Sequence, residues 1–507
     1  MQVGLKALAN HYGIALVQPL SVESVIGAVN SSRTLNGRVE NSYQPSYQPS
    51  NDFAGHFEFG LKYEPMHLEF FARLFAAAGP EPIADWCHQS PFGQYARRAG
   101  FLYEWLTGKR LDVPDVKNAA YCDAISAKHY LVSTEPQKVK RWKINNNLPG
   151  NADFCPLVRY TAALQEALAF DLKAELNKLS QQFGADVLMR TASWLTLKES
   201  RSSFLIEKES NQTDRIQRFA QVIAKHCGRI ESPLSDEGLQ QLQAGILGAN
   251  ALGLGMRRSP VFVGQATLSA EIVHYIAPHY AALPNMLEGL RLFEETTRGA
   301  DPLIRAAALA FAFVYIHPMR DGNGRIHRFL INDILLRDKA IPSGVILPIS
   351  ATIMSSLDFR SNYDRVLEVF SKPFMQRYAA SYRFGKSTVY EDGTHSNLEF
   401  DEYEDASFAW RHPDLTEHVM YIAKVVAHTI HTEMADEARM LINFQQAQQH
   451  LKDVLEMPDQ DANRIIRSIK ENNWQVSNKL KKEYSVLADA DIAERVVEAV
   501  RDGFASL

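Results

Sequence analysis

The chain has 507 residues, 46% hydrophobic and 22% charged, a composition that excludes wholesale disorder, collagen and low-complexity architectures. Its length corresponds to about three domains, with cores large enough to fold without a disulfide or metal staple. Lys+Arg 54 against Asp+Glu 59 leaves a net charge of −5, which argues against a protein whose main business is coating nucleic acid.

The N-terminal stretch MQVGLKALANHYGIALVQPL is interrupted by Asn10, His11 and Gln18, so no secretion signal is expected. Asn30 to Asn51 is polar, contains the direct duplication YQPSYQPS at Tyr43–Ser50, and reads as a long loop. From Pro65 to Asp123 the pattern is helical, with Met66, Phe70, Phe71, Leu74 and Phe75 as a core stripe. A further helix over Tyr95–Leu106 ends at Gly108. Lys138–Lys143 is basic and reads as a solvated linker. Cys87, Cys122, Cys155 and Cys227 lie far apart with no Cys-x-x-Cys pair. Buried thiols in a cytoplasmic protein are therefore expected, rather than a disulfide frame or a zinc site.

Val158 to Phe370 is again mostly helical. The exception is MRRSPVFVG, Met256–Gly264, whose β-type run Val261–Val263 is bounded by Pro260 and Gly264 and suggests a hairpin. The longest apolar run, Ala306–Ile316, is about half the ~20 residues a membrane helix needs, so it reads as a core helix. Asp392–Asp405 is acidic and aperiodic, and a loop is expected there. His428 and His431 with Glu433 have metal-compatible spacing but no fourth ligand nearby. Pro458–Asn472, Val476–Tyr484 and Ala490–Asp502 read as three short helices. They fit a plain bundle or a helix-turn-helix unit that contacts DNA, and the bundle is the expected reading.

The chemistry is concentrated in His317–Arg328, HPMRDGNGRIHR. His317-Pro318 stops the apolar helix, because a residue before proline is pushed out of the α region. Asp321-Gly322-Asn323-Gly324 then turns into a second helix. Its first N–H groups, at the positive end of the helix dipole, make an anion site that glycines let a phosphate approach. Arg325 and Arg328, three apart, can both face that anion, and the arginine fork suits phosphate. Asp321 is a natural Mg²⁺ ligand beside phosphate, and His317 is placed to take a proton from a hydroxyl. The set spells phosphoryl or nucleotidyl transfer from a polyphosphate.

HPMRDGNGRIHR resembles the Fic signature His-x-Phe-x-Asp/Glu-Gly-Asn-Gly-Arg-x-x-Arg, with Met319 in the place of the usual Phe. The resemblance extends to Arg257–Gly264, similar to the family's flap, and covers about Thr196 to Phe370. It implies transfer of AMP from Mg·ATP to a protein Tyr, Ser or Thr hydroxyl. His317 would be the base, and Asp321 would hold Mg²⁺. The Gly322 and Gly324 amides, Asn323 and Arg325 would hold the diphosphate, and Arg328 the γ-phosphate. Arg257, Val261, Phe262, Val263 and Gly264 would dock the target through β-strand pairing. Upstream, Ser202-Ser203-Phe204-Leu205-Ile206-Glu207 resembles the family's inhibitory motif Ser/Thr-x-x-x-Glu-Gly/Asn. Ser203 and Glu207 match it, and Lys208 stands in the usual Gly/Asn place. This implies a class II-like arrangement, with Glu207 competing for Arg328 against the γ-phosphate.

The expected fold is mainly α. An N-terminal helical domain covers 1–150, with the polar loop at 30–51. A Fic-like helical core with a small β-hairpin flap covers 151–390, and a C-terminal helical unit, a plain bundle or alternatively a helix-turn-helix or winged-helix-like unit, covers 391–507. The expected function is self-inhibited AMP transfer to a protein target, the chain itself included. The alternatives are AMP removal, transfer of another nucleotide or phosphate group, and a DNA-binding regulator with an idle Fic domain. Neither a membrane partner nor a bound cofactor beyond Mg²⁺ is expected.

Overall fold

The structure is a computed structural model and describes residues 1–35, 38–209, 212–266 and 271–505. The chain divides into two compact units: residues 1–169, 225–338 and 357–424 in the first, 170–224, 339–356 and 425–507 in the second. Each unit is thus gathered from three separate stretches, and they do not follow the consecutive division 1–150, 151–390 and 391–507. The fold is mainly helical with small β elements, and no described helix is long and apolar enough to cross a membrane.

At the N-terminal end of the first unit, the helices Phe53–Tyr63, Leu68–Ala78, Glu81–Gln89 and Gln94–Thr107 pack Phe57, Phe70, Phe71, Leu74, Phe75 and Leu102 into one apolar core. The stripe read from the sequence is core. His67 caps Leu68–Ala78 by accepting from the Phe70 amide at 3.2 Å. Gly108 closes Gln94–Thr107 in the left-handed conformation, φ 67°, which glycine adopts at little cost.

The polar stretch after Asn30 is not a loop. Ser31–Leu35 pairs antiparallel with Arg38–Tyr43, which also pairs parallel with Val22–Ile26. Residues 36 and 37 lie outside the described residues. Residues 31–34 are exposed and 39–43 only partly buried, so these strands need no apolar alternation. Backbone ladders hold them, with cross-strand ion pairs Arg33–Glu40 at 2.6 Å and Arg38–Glu23 at 3.3 Å. The duplication has a packing consequence: Tyr43 and Tyr47, one from each copy, both set their rings 5.6 Å from Tyr63. The basic stretch near Lys138 is likewise structured, as Gln137–Val139 pairs with Ile144–Asn146.

The rest of the first unit positions the site. The apolar helix Pro302–Ile316 is capped by Asp301, which accepts from the Leu303 and Ile304 amides, and is followed after the turn by Asn323–Arg337. The acidic stretch expected as a loop at 392–405 supplies instead the turn and second strand of a hairpin, Tyr382–Val389 against His395–Phe400, and then enters helix Tyr403–Arg411. The second strand buries Leu398 and Phe400 and turns the residue between them outward, so the polar composition there belongs to one face of a strand rather than to irregular backbone.

The second unit is helical, and no strand occurs among its described residues, so it carries no winged-helix wing there. Helix Ala435–Val454 packs with Asp459–Glu471, Asn478–Glu483 and Ala490–Ala505 around Leu451, Ile465, Ile466, Ile469, Leu480, Val496 and Val500. Gly503 allows the closest approach: a Cβ there would stand 2.3 Å from the Ala447 backbone. Among the described residues no three His, Cys, Asp or Glu side chains form a metal cluster, and His431 bonds Glu175 at 3.0 Å.

Candidate active site

His317 closes helix Pro302–Ile316 in the left-handed conformation, φ 50° and ψ 56°. That is a costly geometry for a residue with a Cβ, and one that marks functional positions. The following proline forbids continuation of the helix, and tertiary bonds hold the bend. The Arg257 guanidinium is buried and donates from Nε to the His317 carbonyl at 2.7 Å. It also donates to the carbonyls of Pro278 at 2.7 Å, Ile316 at 3.3 Å and Ser259 at 3.3 Å. Burial brings its pKa down to about 10. The ring of His317 is itself oriented: Nδ1 lies 3.3 Å from the Val314 carbonyl. A carbonyl only accepts, so Nδ1 is the donor in this contact.

The turn after it is clipped to the chain around it. Met319 is buried, in keeping with a core role at the position where the signature has Phe. Its backbone N–H and C=O are both taken by Asn323, through Oδ1 at 2.9 Å and Nδ2 at 2.8 Å. The carboxamide expected on the diphosphate is thus used to close the loop. Gly322, at φ 87°, begins helix Asn323–Arg337, and its amide donates to Asp321 Oδ1 at 2.6 Å. That amide too is committed to the turn rather than facing an anion. The N–H groups of Asn323, Gly324 and Arg325 fill the first turn, where a helix offers no internal acceptor.

Asp321 has a half-exposed side chain and pairs with Arg325 Nη2 at 3.1 Å through the same Oδ1. Its Oδ2 has no hydrogen bond among the described residues, and no second carboxylate or histidine completes a cluster. One open carboxylate oxygen suits Mg²⁺, which prefers one or two carboxylates with phosphate oxygens and water. Arg325 and Arg328 are both buried on the first turns of the helix, and Arg328 Nη1 lies 3.5 Å from Tyr363 Oη.

Sequence reading missed Gln243. It is fully buried on helix Asp236–Leu247, and its amide donates to the carbonyls of Asp321 and Gly253, each at 2.8 Å, while Oε1 accepts from the Gly255 amide at 2.6 Å. It ties the turn to the glycine-rich stretch that precedes the flap. No motif marks it, since its role is visible only once 10- and 78-residue separations are closed. From there the chain runs antiparallel to the turn: Arg257 N donates to Pro318 O at 2.9 Å, and Arg320 N to Gly255 O at 3.1 Å.

The flap itself is Phe262–Ala266 paired with Glu271–Ile276, with a bulge between Val263 and Gly264. Of the flap residues named from the sequence, Phe262, Val263 and Gly264 lie on the first strand, and Val263 is 40% exposed. Val261 precedes it and accepts from the Ala277 amide at 3.1 Å. Arg257 does not belong to a docking face: it is the buried bracket described above.

Ser203 and Glu207 belong to the second unit, at the end of helix Ala185–Ile206. Ser203 is buried, and Glu207 is the last residue before the chain turns. The Lys208 amide donates to Leu205 O at 3.0 Å and the Glu209 amide to Phe204 O at 2.9 Å, the two bonds of a Schellman end. Lys208 sits at φ 61°, the left-handed position where Gly or Asn is the low-cost choice. The departure from the motif therefore falls where the motif's Gly/Asn has a conformational reason.

Residues 233–335 match the family model for the Fic/DOC family. The chain carries a Fic domain. Its boundaries take in helix Asp236–Leu247, the flap, and the helices on both sides of the turn. Protein adenylyltransferase fic-1 of Caenorhabditis briggsae is 32% identical over 156 residues, which are 29% of this chain and 28% of that protein. Protein adenylyltransferase fic-1 of Caenorhabditis elegans is 25% identical over 287 residues, which are 48% of this chain and 54% of that protein. The chain thus spans about half or less of the length of these relatives. A solved Fic family protein from Desulfovibrio desulfuricans G20 is 18% identical, with a TM-score of 0.36, over 64% of this chain and 83% of its own.

Proposed function

We propose that the Fic domain transfers AMP from ATP to a hydroxyl of a protein segment, the chain's own segments included. The observation that carries this reading is the oriented imidazole of His317, whose Nδ1 donates to the Val314 carbonyl, at one end of a turn. The other end of that turn is a helix N-terminus with two buried arginines. In the reaction the acceptor oxygen forms a bond to the α-phosphorus, and the bond from that phosphorus to the bridging oxygen breaks. Pyrophosphate leaves, and the acceptor proton passes to His317 Nε2. The first-turn N–H groups and Arg325 hold the charge on the β-phosphate side, and Arg328 anchors the γ-phosphate. Asp321 would hold Mg²⁺, whose charge would offset that of the phosphates. The likeness of the Fic domain to two proteins named adenylyltransferases supports the same reading.

Glu207 is read as the restraint on this activity. The S-x-x-x-E match and the left-handed residue after the glutamate support it. Incubation with ATP labelled at the α- or at the γ-phosphate tests both statements. Protein-bound label from the α position alone, absent in His317→Ala, is the expected result. Label from the γ position would replace the reading with phosphoryl transfer. Loss of pre-attached AMP would replace it with the removal reaction.

A further inference from the structure

The stretch leading into the flap lies between two partners. In an extended chain successive N–H groups point to opposite sides. On one side, Arg257 N donates to Pro318 O in the catalytic turn. On the other side, Arg258 N donates to Asp392 Oδ2 at 2.6 Å, and Ser259 Oγ donates to the same oxygen at 2.9 Å. Asp392 belongs to the turn of the Tyr382–Val389/His395–Phe400 hairpin, where its Oδ1 accepts from the Thr394 amide at 2.9 Å. Both carboxylate oxygens are therefore in use, one to shape its own turn and one to grip the flap lead-in. The first flap residue, Phe262, also sets its ring edge-on against Phe384 of that hairpin, centroids 5.3 Å apart. The same lead-in contains Arg257, whose guanidinium holds the His317 carbonyl. A continuous set of bonds thus runs from the second hairpin through the flap base to the backbone of the general base.

We propose that Asp392 is a positioning residue for the protein acceptor: it fixes the flap strand in register with His317, so that a docked segment presents its hydroxyl to the base. The inference rests on the AMP-transfer reading above and adds to it the element that sets the flap. Hydrogen bonds from Arg258, Thr394 and Ser259 outweigh the cost of burial and hold the Asp392 carboxyl below its ordinary range, so it grips as a carboxylate near neutral pH. An asparagine has only one acceptor oxygen and cannot serve both sets of donors.

The test compares the full chain carrying Glu207→Gly with the same chain carrying also Asp392→Asn, and with a Glu391→Gln control that removes only the exposed Arg258–Glu391 ion pair. Three quantities are measured: AMP incorporation into the chain from α-labelled ATP, the Kd for Mg·ATP, and amide hydrogen exchange. Asp392→Asn is expected to lower incorporation at least fivefold while Kd changes less than twofold. Exchange of amides 262–266 should quicken, with amides 323–337 unchanged, and Glu391→Gln should match its parent. Unchanged incorporation, or unchanged flap exchange, would overturn the inference. So would a loss of Mg·ATP affinity and of protection in 323–337 alongside incorporation, since that is general loosening. A parent chain that incorporates no AMP would overturn the transfer reading itself, and the inference with it, whereas the Asp392 outcomes separate the two only when the parent is active.

Discussion

Several helix ends among the described residues finish on a non-glycine residue in the left-handed conformation, among them those at His317, φ 50°, and Lys208, φ 61°. These two are held in different ways. The bend at Lys208 is secured by the two local backbone bonds of a Schellman end. The bend at His317 is secured from a distance, by Arg257, and by a proline that leaves the helix no continuation. Strain of about 1–2 kcal/mol at a single residue persists where surrounding structure over-determines it. At His317 that strain falls on the residue proposed as the base. At Lys208 it falls on the position where the resembling motif carries Gly or Asn.

Substitutions at the first end should have the largest effects. His317→Ala is expected to lower AMP transfer by about 10²–10⁴-fold with Mg·ATP affinity retained. His317→Gly should lose transfer equally while melting higher than His317→Ala, because glycine releases the bend. Equal melting of the two would mean that the bend stores no strain. Arg257→Met leaves four carbonyls without their donor. It should cost roughly 3 kcal/mol or more in a denaturant titration, and a loss below about 1 kcal/mol would remove Arg257 as the bracket.

At the second end the effect is on regulation. Glu207→Gly is expected to raise the initial rate of AMP incorporation by about 5–150-fold, the range of a 1–3 kcal/mol coupling. A ratio of one or less would make Glu207 a solvated helix residue or a participant in AMP removal.

Acid should separate the ends further. Tyr315, two residues before His317, bonds His418 Nε2 at 2.7 Å, and burial lowers the His418 pKa to about 3. The unfolded chain takes up this proton near pH 6.5, and the folded chain does not until about pH 3. Stability therefore falls as pH drops through that window, by roughly 1–2 kcal/mol at pH 5. Thermal melts should show this loss reduced in His418→Gln, and an unchanged pH slope would contradict it. The smallest effect is expected from Lys208→Gly, a gain of about 0.5–1 kcal/mol in the second unit from relief of the left-handed side chain, read as a rise of about 1–3 °C in Tm.

The turn His317–Arg328 was legible because its residues are consecutive. Twelve consecutive residues supply the histidine, the carboxylate, the glycines, Arg325 and Arg328, and helix geometry brings them together whatever the rest of the chain does. The aromatic stripe Phe70–Phe75 was legible for the same reason, since a period of 3.6 is written in the sequence itself. The strands after Asn30 and the hairpin at 382–400 were not, because they are polar and held largely by backbone pairing, with apolar alternation limited to the short run Leu398–Phe400.

By itself the sequence determined which groups the turn contains and that a helix begins at its glycines. Only the tertiary structure decided what each group is used for. Asn323 and the Gly322 amide turned inward to Met319 and Asp321, Arg257 became a buried bracket instead of a docking residue, and Gln243 and Asp392 joined the site from 78 and 134 positions away. The physical reason is that a hydrogen-bonding side chain is committed by whichever partner burial places within about 3 Å, and burial is settled by contacts distant in the chain.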